Sequence, residues 1–343
     1  MINRRLGLFM VIILLLQIVT AACSSKPDSV CVVLDTGTEN DNGFNQYSLK
    51  GARTAAAELG LSFAHAPSFS ERDYAPNIDQ FITEGCDLII TVGFLMGEAT
   101  AAAARANPKV SFAIVDVAYF PGEGCDAAVA DCYTAEGGLD NVTSLMFAED
   151  EVGYLAGTLA GCMSETGVIG SVAGMEIPPV VRFVTGYQNG ARSQNPGIQT
   201  LNVYIPNFND PASGKLAGDD QLSKGADILF GVGGNTGNGA LLAAHEAGML
   251  AIGVDVDQYN TFTEVASSLL TSATKNIDVA TYNAVMSFAA GELAPGIQLS
   301  TVANGGVGLA PFHNLDSRVP DACRQAVQAA EAGLTDGSID PMP

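Results

Sequence analysis

Short apolar runs rich in β-branched residues alternate with helix-like segments along most of this 343-residue chain. In the first half, apolar runs at 30–34, 87–92 and 111–115 are separated by segments such as 47–59 in which alanine and leucine recur at helical spacing. Strands that are apolar at nearly every position are typical of parallel sheets covered by helices on both faces. The chain therefore predicts an α/β fold with parallel central sheets.

The same alternation repeats in the second half, where the strand-like runs are 167–172, 199–205, 227–232 and 250–254. We expect two sheets in series, at about residues 28–146 and 147–271, because the chain is too long for one compact core. A strand at 268–272, a helix at 277–290, a last strand at 307–310 returning to the second sheet and a C-terminal helix complete the prediction.

The net charge is −22, from 15 Lys and Arg residues against 37 Asp and Glu residues. A surface this acidic repels a phosphate backbone, so we expect no nucleic-acid partner. A cationic ligand, or a neutral one that donates hydrogen bonds, is compatible with this charge.

The first 22 residues have the features of a signal peptide: Arg4 and Arg5, an apolar stretch at 6–19, then small residues. Their end resembles a bacterial lipobox, with Cys23 as the acylated residue, although Thr20 stands where lipoboxes usually carry leucine. The alternative is ordinary cleavage, with Cys23 structural or removed. We expect a polar linker over 23–29 and a lipid-anchored, extracytoplasmic protein that is otherwise soluble.

Export permits disulfides between the remaining cysteines. Cys125 and Cys132 lie seven positions apart in a loop rich in Gly and Asp and are the expected pair. Cys31 and Cys86 each border an apolar strand, which favours two buried thiols. No spacing of Cys and His suggests zinc, and the remaining pairing stays open.

Candidate functional residues follow the predicted strands, because ligands of open α/β sheets bind at the carboxyl ends of strands. They comprise hydrogen-bond acceptors, two aromatic residues, a glycine and one cation. In chain order they are Asp35, Phe44, Asn45, Asp116, Phe208, Gly234, Asp255 and Lys275.

Catalytic and cofactor chemistry is not indicated. The run at 231–239 follows a strand, but Thr236 stands where a dinucleotide loop needs its third glycine. The loop at 35–41 resembles the Asp-rich loop of nucleoside hydrolases, but Gly37 stands where a paired acid is required. No histidine follows a strand with a nucleophile nearby: His65, His245 and His313. We therefore expect no enzyme, no metal and no cofactor.

Several segments together resemble the basic membrane protein family, whose members are substrate-binding lipoproteins of ABC transporters and include purine nucleoside receptors. The matching segments are DTGTENDNGFNQ at 35–46, FAIVD at 112–116, EVGYLAG at 151–157, RFVTGY at 182–187, GGNTGNG at 233–239 and GVDVDQ at 253–258. This chain departs from the family at Gly43, where serine is usual, and in its longer loop at 119–140.

The resemblance implies a type I periplasmic binding protein fold, in which two Rossmann-like lobes are joined by three hinge crossings. The N-terminal lobe would comprise 30–146 and about 276–303. The C-terminal lobe would comprise 147–275 and about 304–343.

The resemblance also implies that Phe44 and Phe208 sandwich a base, one from each lobe, while Asp35, Asn45 and Asp116 bind its edge. Physical chemistry agrees, because stacking contributes about 1–3 kcal/mol per base. The N–H donors on a purine edge also suit carboxylate and amide acceptors.

Gly234, Asp255 and Lys275 would hold the ribose. One carboxylate can accept both hydroxyl groups of a diol, which fits Asp255. We expect Lys275 to neutralise Asp255 and to donate to a ribose oxygen, because an unpaired buried acid is costly.

Phe183 and Tyr187 lie four positions apart on one predicted helix and are expected in the core. Phe94 and Met96 are left outside the chosen set.

The sequence thus predicts a monomeric, lipid-anchored receptor that captures a nucleoside between closing lobes and delivers it to the permease of an ABC importer. Two alternatives stay open: a receptor for another neutral ligand, such as a sugar or an autoinducer, and a nucleoside hydrolase-like enzyme.

Overall fold

The computed structural model describes residues 28–343, so the predicted signal peptide and Cys23 lie outside the described residues. Its strands, in chain order, are β1 (Ser29–Thr36), β2 (Ser62–Ser68), β3 (Leu88–Val92), β4 (Ser111–Val115), β5 (Phe120–Pro121), β6 (Gly124–Cys125), β7 (Val142–Phe147), β8 (Val168–Ala173), β9 (Gln199–Tyr204), β10 (Ile228–Val232), β11 (Leu250–Asp255), β12 (Leu269–Lys275), β13 (Gly296–Ser300) and β14 (Val307–Leu309).

The helices alternate with these strands, and in residues 28–343 none is long and apolar enough to cross a membrane. They are α1 (Phe44–Leu59), α2 (Tyr74–Glu84), α3 (Gly97–Ala106), α4 (Glu149–Met163), α5 (Pro178–Gln194), α6 (Pro211–Ser223), α7 (Gly234–Glu246), α8 (Gln258–Thr261), α9 (Ile277–Ala290) and α10 (Asp321–Thr335).

Two six-stranded sheets organise the molecule, with the orders β13-β7-β4-β3-β1-β2 and β14-β12-β11-β10-β8-β9. All neighbours in the first sheet are parallel. The second sheet is parallel except where β14 runs antiparallel to β12. We call each sheet, with the helices packed on it, a lobe. The predicted α/β class with parallel central sheets is confirmed.

The chain passes between the sheets three times, from β7 to β8, from β12 to β13 and from β13 to β14. The three crossings implied by the family resemblance are therefore present. The strand at 296–300 was not predicted, because its exposed central residues lack the apolar run that marks the central strands. The lobe boundaries predicted near residues 146, 276 and 303 remain a proposal, which these crossings support.

Glycines bring α4 and α5 into backbone contact. A Cβ atom added to Gly157 would lie 1.9 Å from the carbonyl oxygen of Tyr187, and one added to Gly190 would lie 2.0 Å from that of Tyr154. The segments 151–157 and 182–187, which carry part of the family resemblance, are thus a packing interface. This interface positions the N-terminal turn of α5, which borders the cleft described below.

Three disulfides link the described cysteines. The predicted pair Cys125–Cys132 is confirmed, and it closes the loop that carries β5 and β6. Cys31 and Cys86, whose pairing the sequence left open, are not two buried thiols, because the parallel strands β1 and β3 bring them together as a disulfide. The third bridge joins α4 to α10 through Cys162 and Cys323.

We expect the variant Cys162→Ala/Cys323→Ala to lose about 2–4 kcal/mol of unfolding free energy, because this bridge constrains a segment of 161 residues in the unfolded chain. Cys125→Ala/Cys132→Ala should lose less, because its segment spans only 7 residues. Urea unfolding of the oxidised proteins measures both losses. An equal or larger loss for the short loop would contradict the prediction.

Candidate ligand-binding cleft

A cleft of about 640 Å³, counting its opening to solvent, lies where the carboxyl ends of both sheets face each other. All eight residues selected from the sequence line it: Asp35, Phe44, Asn45, Asp116, Phe208, Gly234, Asp255 and Lys275. Whether they contact a ligand remains a prediction.

Asp35, the residue before the last of β1, is held by bonds to one of its two carboxylate oxygens. Oδ1 accepts from the Thr36 backbone N–H at 2.6 Å and from the Tyr74 hydroxyl group. Burial raises the pKa of Asp35 to about 6, although these bonds oppose the rise. A Cβ atom at Gly93 would lie 2.2 Å from Oδ2, so only glycine leaves room here. Oδ2 has no hydrogen-bond partner within residues 28–343 and borders the cleft.

The start of α1 is capped by a buried carboxylate. Asp41 accepts hydrogen bonds from the backbone N–H groups of Gly43, Asn45 and Gln46, at 3.0, 2.8 and 3.2 Å. The Asn45 side chain in turn accepts from the Asp35 backbone N–H at 3.2 Å. This capping sets the direction in which α1 enters the cleft and so positions Phe44 and Asn45.

Phe208 follows β9, and its ring packs against the backbone of two glycines. Cβ atoms added to Gly174 and Gly233 would lie 2.4 and 3.1 Å from its ring atom Cδ1. The ring therefore has a flat support on the second lobe and also borders the cleft. Gly234, in the left-handed region with φ of 57°, begins α7 beside it.

Asp116 and Asp255 occupy equivalent positions in the two lobes, at the ends of β4 and β11. Both have left-handed backbone conformations, with φ of 67° and 66°. Such conformations cost free energy and cluster at functional sites. Burial raises the pKa of Asp255 to about 7, although Lys275 opposes the rise. Its carboxylate has no hydrogen-bond partner in the described part of the chain.

Lys275 pairs with different acids from the one expected. Its Nζ donates to both carboxylate oxygens of Asp116, at 2.6 and 2.7 Å, and to Glu149 at 2.9 Å. Lys275 makes no hydrogen bond to Asp255, because these acids take the three N–H groups of the ammonium. The expectation that Lys275 neutralises Asp255 stays a prediction, which the lowering of the Asp255 pKa by Lys275 supports. Burial alone would lower the pKa of Lys275, but Asp116 and Glu149 raise it above its ordinary value.

Sequence reasoning missed Glu149, which is fully buried and also accepts from Arg182 at 2.7 Å. It follows β7 by two positions, so the strand-end rule would have selected it if a strand had been predicted at 142–147. Phe183 packs edge-on against Phe230 in the core, as expected, but it also lines the cleft.

Further cleft residues had no polar signal in the sequence. Ile177, Pro179 and Val180 give the second lobe an apolar wall, and Phe94 lines the first-lobe side. Tyr187 is buried in the core as expected.

The two lobes and the cleft between them define a solute-binding protein of the periplasmic type. The family model described as ABC transporter substrate-binding protein PnrA-like matches residues 29–330. The chain belongs to this family, named Bmp, and is an ABC transporter substrate-binding protein, a class that works outside the cytoplasm.

Individual proteins agree with this assignment. The ABC transporter nucleoside-binding protein BmpA of Lactococcus lactis is 30% identical over 327 residues, which cover 90% of this chain and 87% of that protein. A lipoprotein of Pyrococcus furiosus is 30% identical over 318 residues, covering 89% and 73%. The crystal structure of an ABC transporter solute-binding protein from Aeropyrum pernix superposes with a TM-score of 0.80 at 26% identity, covering 92% and 93%. The predicted family is confirmed.

Replacing Lys275 by Met is expected to lower the unfolding free energy by about 3–5 kcal/mol at pH 8, because it leaves Asp116 buried without a cation and Glu149 with Arg182 alone. The loss should shrink at pH 5, because burial raises the pKa of Asp116 to about 6 and this carboxyl group then takes up a proton. Urea unfolding at both pH values measures it. Lys50→Met, at a lysine whose side chain is 54% exposed, should cost less than about 1 kcal/mol. Equal losses in the two variants would contradict the prediction.

Asp255→Asn should flatten the dependence of stability on pH. The folded pKa of Asp255 is about 7 against 3.8 ordinarily, so the folded protein retains a proton that the unfolded chain loses between these values. Stability should therefore fall as pH rises from about 4 to 7 in the wild type, and less steeply in this variant. Asparagine tolerates the left-handed backbone. Urea midpoints at pH 5, 6, 7 and 8 test this, with the exposed Asp140→Asn as control; parallel curves would refute it.

Proposed function

We propose that this substrate-binding protein captures nucleosides, and purine nucleosides in particular, for import. The observation that carries the proposal is that Phe44 and Phe208, from different lobes, border one cleft beside carboxylates with unpaired oxygens. Flat aromatic faces suit a base, and unpaired acceptors suit a ligand rich in N–H and O–H donors. The name of the Lactococcus relative supports the same ligand class.

In this proposal the first lobe binds the base. Phe44 stacks on one face, Asn45 and the free Oδ2 of Asp35 accept from its edge, and Phe208 covers the other face from the second lobe. Because Asp116 is already bound by Lys275, it contributes a neutralised carboxylate to the edge.

The second lobe binds the ribose in the same proposal. Asp255 accepts from the diol, and the backbone at Gly234 approaches it closely. Lys275 lowers the pKa of Asp255 through space and so favours the ionised acceptor. To donate to a ribose oxygen, Lys275 exchanges one of its three bonds to Asp116 and Glu149.

The wider proposal is a monomeric receptor without catalytic activity that is anchored through lipidated Cys23 and delivers its ligand to an ABC permease. The family supports a binding role rather than an enzymatic one. The Pyrococcus relative, which is named a lipoprotein, supports the anchor.

Calorimetric titration with purine nucleosides, free bases, ribose and hexoses tests the ligand class. We expect nucleosides to bind most tightly. Phe44→Ala and Phe208→Ala should each weaken binding roughly 5- to 150-fold, because each removes about 1–3 kcal/mol of stacking. Asp255→Ala should also weaken the binding of nucleosides but leave the binding of free bases unchanged.

The matched control is Phe69→Ala, because Phe69 is 83% exposed and does not line the cleft. Tighter binding of hexoses, or equal binding of free base and nucleoside, would overturn the proposal. Release of ribose from inosine in the presence of calcium would show an enzyme instead.

A further inference from the structure

One loop of the first lobe makes hydrogen bonds to the second lobe beside the cleft. The side-chain N–H of Asn238 donates to the backbone oxygen of Asp41 at 3.1 Å. The hydroxyl group of Thr261 donates to the backbone oxygen of Asn42 at 2.9 Å. Asn42 is itself held in a left-handed conformation, with φ of 59°, and its N–H donates to Gln46. Two carbonyl groups of the first lobe are thus presented to donors of the second.

A buried chain of amides fixes the orientation of Asn238. Its Oδ1 accepts from the Gln258 side-chain N–H at 2.7 Å, and the Gln258 Oε1 accepts from the Val254 backbone N–H at 2.9 Å. Asn238 and Gln258 are 7% and 2% exposed. Because the oxygen of Asn238 is taken within its own lobe, its amide nitrogen has to face the first lobe.

This series of hydrogen bonds connects the two halves of the candidate site. At one end, the Asp41 carboxylate caps α1 and positions Phe44. At the other end, Val254 immediately precedes Asp255. Neither Asn238, Gln258 nor Thr261 lines the cleft, so these residues join lobe to lobe and do not bind a ligand between them.

We propose that Asn238, Gln258 and Thr261 form a latch that holds the lobes closed and sets the residence time of the ligand. The bonds to residues 41 and 42 cross between lobes, so they form on closure and break on opening. A bond made only in the closed state stabilises that state, and ligand release requires opening. The latch therefore slows dissociation and leaves association, which begins from the open state, nearly unchanged.

Surface plasmon resonance with inosine and guanosine tests the latch; the choice of these probes rests on the proposed function. Asn238→Ala and Thr261→Val should each release nucleoside about 3- to 10-fold faster, as expected for the loss of one hydrogen bond. Association rates should stay within about twofold. Thr83→Val is the matched control, because it removes a similar hydroxyl-to-carbonyl bond inside α2.

Asn238 also contacts Asn235, which lines the cleft, so the effect has to appear in Thr261→Val as well. Unchanged dissociation rates in Thr261→Val, or slower association with unchanged dissociation, would overturn the latch.

If the wild type binds no nucleoside, the proposed function fails, but the latch can still be tested without a ligand. Small-angle X-ray scattering of the ligand-free proteins provides this test. A larger radius of gyration in Asn238→Ala and Thr261→Val than in the wild type and Thr83→Val supports the latch, and equal radii overturn it.

Discussion

The buried ammonium group of Lys275 is the interaction on which the cleft depends. It lies at the end of β12 in the second sheet, and it bonds Asp116 at the end of β4 in the first sheet and Glu149 beside the first crossing. Carboxylates gathered at one point in a low dielectric repel one another and resist ionisation. The ammonium group of Lys275 is bound by two of these carboxylates and reduces the repulsion within the cluster. Asp255 lies beside the cluster without a hydrogen-bond partner in the described part of the chain.

A side-chain cap and bare glycine backbone organise the rest of the cleft. The carboxylate of Asp41 caps α1, and glycine backbone supports the ring of Phe208. Each device fixes a group before any ligand arrives, which lowers the entropy that binding has to offset. The latch, by contrast, acts on the dissociation rate of the ligand through contacts between the lobes outside the cleft.

Much of the candidate site could be predicted because parallel strands bring their carboxyl ends to one edge, so strand-end residues distant in sequence become neighbours. Partners within that cluster could not be predicted. The hydrogen bonds from Lys275 to Asp116 and Glu149 were not expected, because hydrogen-bond partners depend on side-chain geometry that spacing does not encode. The strand at 296–300 was missed because an exposed edge strand lacks a continuous apolar run.

The sequence by itself determined the α/β class, the two largely parallel sheets, the family and eight of the residues that line the cleft. Apolar periodicity and the positions of strand ends are local properties that can be recognised in the sequence alone. Only the tertiary structure decided the Cys31–Cys86 bridge, the acids that share Lys275 and the bonds from Asn238 and Thr261 to the opposite lobe. The bridge depends on the pairing of β1 with β3 within one sheet, and the bonds between lobes exist only after both sheets have formed and the lobes have closed.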